Sequence, residues 1–283
     1  MINKKISIYI SVYNGEKTII KAINSILKQT MRPSKILVIN DGSNDKTLEK
    51  LKSFGKKISI INNKNKGLSF SRNLALKTLK TKFIACIDAD VELEKNWIKK
   101  MYNRINKNDV HWIGGKLIEK YIENKFNLWR SVRIGQQWGE KNLLNPPFIF
   151  GCNNMLNRDV LKKNCFYRND KKYFKTNGED TEYSLLLRSK GYNLFYIAKA
   201  TCNHLADDNA QSISFRYWRY MYWGDGMKKR TLFRVFKNII RQFKKAFKWS
   251  LEDLFKLRFN LILCNFIISI YFIKFETKVL FEN

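Results

Sequence analysis

The chain has 283 residues, 45% of them apolar and 14% aromatic, so it can bury a sizeable core and is not globally disordered. Three prolines and thirteen glycines exclude a collagen-like or glycine-linker protein. With 54 lysines and arginines against 24 acids the net charge is +30, which calls for an anionic partner: nucleic acid, phospholipid headgroups or a phosphorylated substrate.

MINKKISIYISVYN starts basic and turns apolar, as a signal peptide does, but Ser and Tyr alternate with Ile and no small-residue cleavage site follows. Ile6–Val12 therefore reads as a first strand. Glu16–Gln29 follows as a helix, with Ile19, Ile20, Ile23, Ile26 and Leu27 at helical spacing. Lys35–Asn40 is a second strand, and Asp45–Phe54 a second helix capped by Asp45 or Asn44. Lys57–Ile61, Leu68–Leu79 and Phe83–Asp88 add a strand, a helix and a strand. Apolar strands separated by amphipathic helices imply an α/β fold with a mostly parallel sheet covered on both faces. Ligands of such sheets bind outside the carboxyl ends of the strands. The polar clusters Ser11–Asn14, Asn40–Ser43 and Asp88–Asp90 fall there and describe one cleft.

Beyond Val110 the pattern loosens. His111–Ile118 and Phe148–Leu156 read as strands, Gly178-Glu179-Asp180 opens a helix over Thr181–Lys190 that Gly191 terminates, and Asn193–Ile197 is a short strand. Thr231–Phe255 is a basic amphipathic helix. Its stripe is Leu232, Phe236, Ile239, Ile240, Phe243, Phe247, Leu251, Leu254 and Phe255, and lysines and arginines cover the rest. Phe259–Ile273 runs nearly uncharged, short of the roughly 20 residues of a bilayer span. The five cysteines form no C-x-x-C pair and read as reduced and buried, hence a cytoplasmic location.

Asp88 and Asp90 at a buried strand end repel each other unless a cation lies between them, and oxygen ligands suit Mg²⁺ or Mn²⁺; solvated turn aspartates are the alternative. Asp41 is either a turn former or a carboxylate that accepts a base N–H. Arg72, near the start of a helix, is either an ordinary helix-face residue or a partner for phosphate or base. Glu179 and Asp180 are either helix-start acids or, for Asp180, a general base that the helix N-terminus keeps ionised at neutral pH. His204 is structural, or an imidazole delivered to the metal.

In this order, ISIYISVYNGE, VINDGSNDKT, NKGLSFSRN, CIDAD, GCNNMLNRDVL, NGEDTEYSLLLRSKGY and CNH resemble the family 2 glycosyltransferases of GT-A fold, over roughly residues 5–227. YWRYMYWGDG is similar to the Tyr/Arg-rich segment that often follows the family's histidine. The resemblance implies that Tyr13, Glu16, Asp41 and Arg72 hold the nucleotide, with Asp41 facing the base. It implies that Asp88 approaches the ribose and diphosphate, that Asp90 is the main metal ligand joined by His204, and that the metal is Mn²⁺ or Mg²⁺. Asn153 and Asn154 fall in a segment lining the donor site, Asp180 matches the catalytic base, and Glu179 lies near the acceptor or donor sugar. Ser11 stands where the family usually has proline, and Asn40 where it has the first acid of D-D-G-S. Base and sugar specificity are open for that reason.

The expectation is an inverting transferase of hexosyl or N-acetylhexosaminyl type. It moves a sugar from a nucleoside diphosphate to a hydroxyl of a glycan or lipid-linked acceptor in cell-surface polysaccharide or glycoconjugate synthesis. Two rivals are a basic membrane- or nucleic-acid-binding protein without transferase activity and a nucleotidyltransferase. The first leaves the strand-end acids unexplained and shows no base-reading motif, so no nucleic acid partner is expected. The second needs a glycine-rich phosphate loop where this chain has Val12–Glu16. The expected domains are a catalytic one over 1–228 and a helical region over 229–283. That region either packs its stripe on the catalytic domain or, as favoured here, holds the enzyme on the cytoplasmic face of an anionic membrane.

Overall fold

The computed structural model describes residues 2–169, 178–224 and 231–281. By packing they form two units: the described residues of 1–118, 136–174 and 179–206, and those of 119–135 and 207–283. The boundary expected after residue 228 lies outside the described residues. Among those described, the second unit already includes the helix that starts at Ala210.

The first unit opens with β1 (Ile2–Val12), α1 (Ile19–Leu27), β2 (Arg32–Asn40), α2 (Thr47–Lys52), β3 (Ser59–Asn62), α3 (Leu68–Thr78) and β4 (Phe83–Asp88). β2, β3 and β4 join β1 in a parallel arrangement, β2 and β4 pairing with it and β3 with β2. Period-two alternation explains the two-sided core. Ile6, Ile8, Ile10 and Val12 pack with α1, with Leu51 of α2, and with Trp97, Ile98 and Met101 of α4 (Trp97–Ile105). Tyr9, Leu37 and Ile39 face the other way, towards Ala75 and Leu76 of α3 and Tyr183 and Leu187 of α6 (Glu179–Ser189). β1, β2 and β4 are buried on both sides over their apolar runs, as those runs require, while β3 at the sheet edge is partly exposed.

The remaining strands are β5 (Val91–Leu93), β6 (Trp112–Glu119), β7 (Leu143–Leu144), β8 (Asn153–Asn157) and β9 (Leu194–His204). The sheet runs β3-β2-β1-β4-β8-β6-β9-β5, with β7 beside β9. β8 is antiparallel to both β4 and β6, and β9 to β5 and β7. The parallel part is thus the N-terminal half.

Three local expectations change. The strand expected at Phe148–Leu156 begins only at Asn153, because upstream N–H groups are bonded to α6 side chains: Ile149 N–H donates to Ser184 Oγ (3.0 Å) and Gly151 N–H to Asp180 Oδ2 (3.0 Å). The short strand at Asn193–Ile197 continues to His204. The N-cap position of α2 is Lys46, while Asp45 accepts from Thr47 N–H at 3.0 Å. Gly191 ends α6 as expected: its φ is +79°, and Gly191 N–H donates to Arg188 O at 2.9 Å. All five cysteines are buried and unpaired.

The second unit packs α5 (Lys125–Arg133), α7 (Ala210–Gly224), α8 (Leu232–Phe255) and α9 (Phe259–Phe281) around Trp129, Ile213, Tyr217, Trp218, Leu261, Ile268 and Phe272. The apolar stretch expected to stop at Ile273 continues as a helix of 23 residues, long and apolar enough to cross a bilayer by length and composition. α8 faces opposite to a packed core helix. Its buried positions are Val235, Asn238, Gln242, Ala246 and Asp253, whereas Phe236, Phe247 and Phe255 are 61%, 62% and 85% exposed. The stripe side chains are therefore not part of the second unit's own core among the described residues.

Candidate active site

The strand register brings the polar endings to one edge. Ser11 of β1 lies opposite Asp88 of β4, and Val12 opposite Asn40 of β2, so Asp41 and Asp88 leave the sheet on either side of β1. The loops beyond β1 and β2 clasp each other: Asn14 N–H donates to Ser43 Oγ (3.0 Å), Asn44 N–H to Asn14 Oδ1 (3.0 Å), and Lys46 N–H to Glu16 Oε2 (3.0 Å). The Glu16 carboxylate serves this clasp, and Tyr13 beside it is half exposed.

Asp41 is buried and holds the loop that leads into α3. Its Oδ1 accepts from Lys66 N–H (2.9 Å) and Asn63 Nδ2 (3.1 Å), and its Oδ2 from Gly67 N–H (2.7 Å). The turn reading changes in one respect: the carboxylate shapes the neighbouring loop, not its own turn. Asn40, in place of an acid, donates through Nδ2 to Asn62 Oδ1 at 3.1 Å and so ties β2 to β3.

Arg72 is not an ordinary helix-face residue. It is 1% exposed, and its guanidinium lies between two acids: Nη1 donates to Glu179 Oε1 at 2.8 Å and Nη2 to Asp88 Oδ1 at 3.2 Å. Burial works against its charge, but Glu179 and Asp88 outweigh burial and keep it protonated. The Tyr167 ring lies 5.4 Å from the guanidinium carbon and stacks on Tyr183 with ring centres 4.1 Å apart. Gly151 closes the remaining side, where a Cβ would stand 2.6 Å from Arg72 Nη1. One buried cation thus joins the end of β4 to the start of α6.

Asp180 follows Glu179 at that helix start. Gly151 N–H donates to its Oδ2 (3.0 Å) and Thr181 N–H to its Oδ1 (2.7 Å). The expectation that the helix terminus keeps it fully ionised at neutral pH is corrected. Burial, and then the charge of Glu179, push the carboxyl up to about 7 against the pull of Gly151, Arg72 and Thr181. Such a group is half ionised near neutrality, where a general base is most effective.

Asp90 and His204 meet although they are 114 residues apart: β5 pairs with β9 so that Val91 lies opposite His204, and His204 Nε2 is 3.2 Å from Asp90 Oδ2. Leu205 N–H donates to Asp90 O (2.7 Å) and fixes the turn. Burial raises the Asp88 carboxyl, Arg72 opposing and Asp90 and Glu179 adding to the rise. Among the described residues no three His, Cys, Asp or Glu side chains surround one point. A carboxylate and an imidazole leave most of an octahedral shell to water and substrate oxygens, which fits Mg²⁺ or Mn²⁺ on a phosphorylated ligand.

Asn153 and Asn154 do not line an open site. They are 0% and 2% exposed, and their Oδ1 atoms accept from Gly115 N–H (2.8 Å) and Trp112 Nε1 (2.9 Å) within the sheet. Their period-two positions in β8 bury both, so this segment reaches the site through Gly151 instead. Gly151 and Tyr167 were not singled out from sequence. The glycine opening GCNN was the available sign for the first; nothing in the pattern marked the second.

The sequence model of glycosyl transferase family 2 matches residues 7–165. A Haemophilus influenzae protein described as an uncharacterized glycosyltransferase is 32% identical over 166 residues, 57% of this chain and 48% of that one. An uncharacterized glycosyltransferase of Rickettsia typhi is 29% identical over 193 residues, 66% of this chain and 60% of the relative. This chain thus spans about half the length of the first relative and somewhat more of the second. The crystal structure of S. aureus TarS 1-349 in complex with UDP-GlcNAc superposes with a TM-score of 0.55 at 17% identity, covering 76% of this chain and 64% of that one, a likeness of fold. With more than half its length matched by one family, the chain belongs to glycosyl transferase family 2.

Proposed function

We propose that the protein transfers a sugar from a nucleoside diphosphate to an acceptor hydroxyl with inversion at the anomeric carbon. The observation carrying this reading is Asp180: a carboxylate poised near neutrality, gripped by two backbone N–H groups, beside the Arg72 bridge to the end of β4. Asp180 takes the acceptor proton as the acceptor oxygen forms its bond to the anomeric carbon. The bond from that carbon to the diphosphate oxygen breaks in the same displacement, so the centre inverts and the diphosphate leaves with the electron pair.

Asp41, with the loop it orders, and Tyr13 and Glu16 stand at the base end of the donor; Asp88 stands at the ribose and diphosphate end. Arg72 offsets part of the charge of Asp88 and Glu179, which eases the approach of an anionic diphosphate to two acids. Asp90 and His204 would hold Mn²⁺ or Mg²⁺. Bound there, the ion supplies positive charge to the departing diphosphate. That TarS was solved with UDP-GlcNAc supports a nucleotide-sugar donor of this kind. Hexosyl or N-acetylhexosaminyl transfer to a glycan or lipid-linked hydroxyl, in the making of a surface polysaccharide or glycoconjugate, is the proposed setting.

A panel of UDP-, GDP- and dTDP-sugars, read by release of the nucleoside diphosphate, tests the reading. Turnover of one donor that Asp180→Asn suppresses supports it. No donor turned over with any common sugar or glycan acceptor, or turnover indifferent to Asp180→Asn, refutes it.

A further inference from the structure

In the second unit α8 turns a largely polar face inward: Asn238, Gln242 and Asp253 are buried with Val235 and Ala246. α8 and α9 run antiparallel, and polar side chains join them along their length. Asn238 Nδ2 donates to Glu276 Oε1 (2.6 Å), Gln242 Nε2 to Ser269 Oγ (2.9 Å), and Asn265 Nδ2 to Asp253 Oδ2 (2.9 Å). Neighbouring helices complete the network: Trp218 Nε1 donates to Glu276 Oε2 (2.8 Å), Tyr217 Oη to Gln242 Oε1 (3.0 Å), and Trp129 Nε1 to Asn265 Oδ1 (2.8 Å). Asp253, with no exposure, pairs with Arg133 and Arg258. Buried polar groups cost stability unless they find partners, and the amides of Asn238, Gln242 and Asn265 each donate to a side chain of the facing helix.

The apolar stripe of α8 lies outside. Leu232, Phe236, Ile240, Phe243, Phe247, Leu251 and Leu254 follow one another at steps of three and four, each at least 41% exposed. Over 24 residues this stripe extends about 36 Å. Exposed Lys237, Lys244 and Lys248 stand beside it, and the helix's two acids, Glu252 and Asp253, are both engaged by Arg133. A long phenylalanine-rich face edged by cations exceeds what a solvated surface carries.

We propose that this face of α8 is seated in the interface of an anionic phospholipid bilayer, lying along the surface. Charge decides between occupants. The chain carries +30, and a second copy would set lysine edges against lysine edges; anionic headgroups meet them with opposite charge. Packing decides the depth. α9 is long enough to span, but α8 is bonded to it at three levels, so a spanning α9 would carry Lys237, Lys244 and Lys248 into hydrocarbon. Lying in the interface keeps the phenylalanines in the acyl boundary and the lysines at the headgroups.

The test is flotation of the full chain with vesicles of 30% phosphatidylglycerol in phosphatidylcholine, and of phosphatidylcholine alone. Wild type is expected to float at least tenfold more with the anionic vesicles, less at 0.5 M salt, and to be released by alkaline carbonate. Phe236→Ser/Phe243→Ser/Phe247→Ser and, separately, Lys237→Gln/Lys244→Gln/Lys248→Gln are each expected to abolish flotation with an unchanged thermal transition, because these side chains are exposed. Equal flotation of wild type and the phenylalanine variant, or no flotation of wild type, overturns the proposal. So does retention after carbonate, which means a span, or a wild-type dimer in solution that the phenylalanine variant converts to monomer, which means a protein interface.

Discussion

Arg72 and Glu179 are 107 residues apart in the chain and 2.8 Å apart in the fold. The same guanidinium reaches Asp88 at 3.2 Å, so an acid at the end of β4 and one at the start of α6 share one buried cation. Lysine keeps the charge but lacks the fork. Arg72→Lys is expected to fold and to lose at least tenfold in turnover, because one ammonium does not hold both carboxylates in place. Arg72→Met leaves both acids unpaired. Its expected cost is about 3 kcal/mol, the low end for a broken buried pair, because Asp88 is 32% exposed. Thermal unfolding and diphosphate release, measured on both variants, separate the two effects; full activity in Arg72→Lys refutes the bridge.

Gly151 tests the same arrangement from the other side. A methyl group there would stand 2.6 and 2.7 Å from the Arg72 terminal nitrogens and 3.0 Å from its central carbon. The guanidinium is pinned by two acids and gives way only by breaking a bond to one of them. Gly151→Ala keeps the N–H that Asp180 accepts, so the base stays held while the bridge is displaced. The expected result is a stability loss of about 1–3 kcal/mol, as for an overpacked site, and a fall in turnover comparable to that of Arg72→Lys. The double variant Gly151→Ala/Arg72→Lys should lose less than the sum of the two, since both act on one contact.

Asp180, raised to about 7, has two pH consequences of opposite sign. Catalysis needs the ionised form. The value of kcat/KM is therefore expected to fall tenfold per pH unit below about 7 and to level off above it, with Asp180→Asn lower by about 10²–10⁴ on that plateau and lacking the acid limb. Stability favours the protonated form. Between about 4, where an unfolded carboxyl titrates, and about 7, the native chain holds a proton that the unfolded chain has released, so this group's contribution falls as pH rises and is least favourable above 7. Asp180→Asn removes that cost, and its gain in thermal stability should be larger at pH 8 than at pH 5. A variant less stable than wild type at pH 8 contradicts the assignment.

The parts legible in the sequence are those that local pattern determines. Phe83–Asp88 was read to its last residue because six residues end in the acids that close the strand, and Gly191 because a left-handed residue after a helix favours glycine. The partners of Arg72 were not legible: a lone arginine on a helix carries no sign of two acids, one of them more than a hundred residues away. Asn153 and Asn154 came from the family resemblance, and their burial was not legible because it follows from pairing with β4 and β6, partners distant in the chain. The stripe of α8 was visible, but periodicity tells which residues share a face and not which way that face turns. Its outward turn follows from Asn238, Gln242 and Asp253, whose partners lie on other helices.

The pairing of Asp90 with His204 yields the last prediction, and it concerns binding, with no need of an acceptor. The two side chains come from the β4–β5 turn and the end of β9, and the Val91–His204 register holds them together. An imidazole adds a donor that carboxylates alone lack, so removing it should weaken the hold on Mn²⁺ without disturbing the base end of the site at Asp41. Calorimetric titration of UDP, with and without Mn²⁺, is the measurement. Wild type is expected to bind UDP at least tenfold more tightly with the ion, a difference of about 1.4 kcal/mol. His204→Ala should lose most of that gain and Asp90→Ala all of it. In chelator the three proteins should bind UDP alike, because what remains is the hold on base and ribose. Equal UDP affinity of wild type with ion and with chelator, together with full transfer activity in chelator, would remove the metal from Asp90 and His204 and leave their contact as an ordinary carboxylate–imidazole pair.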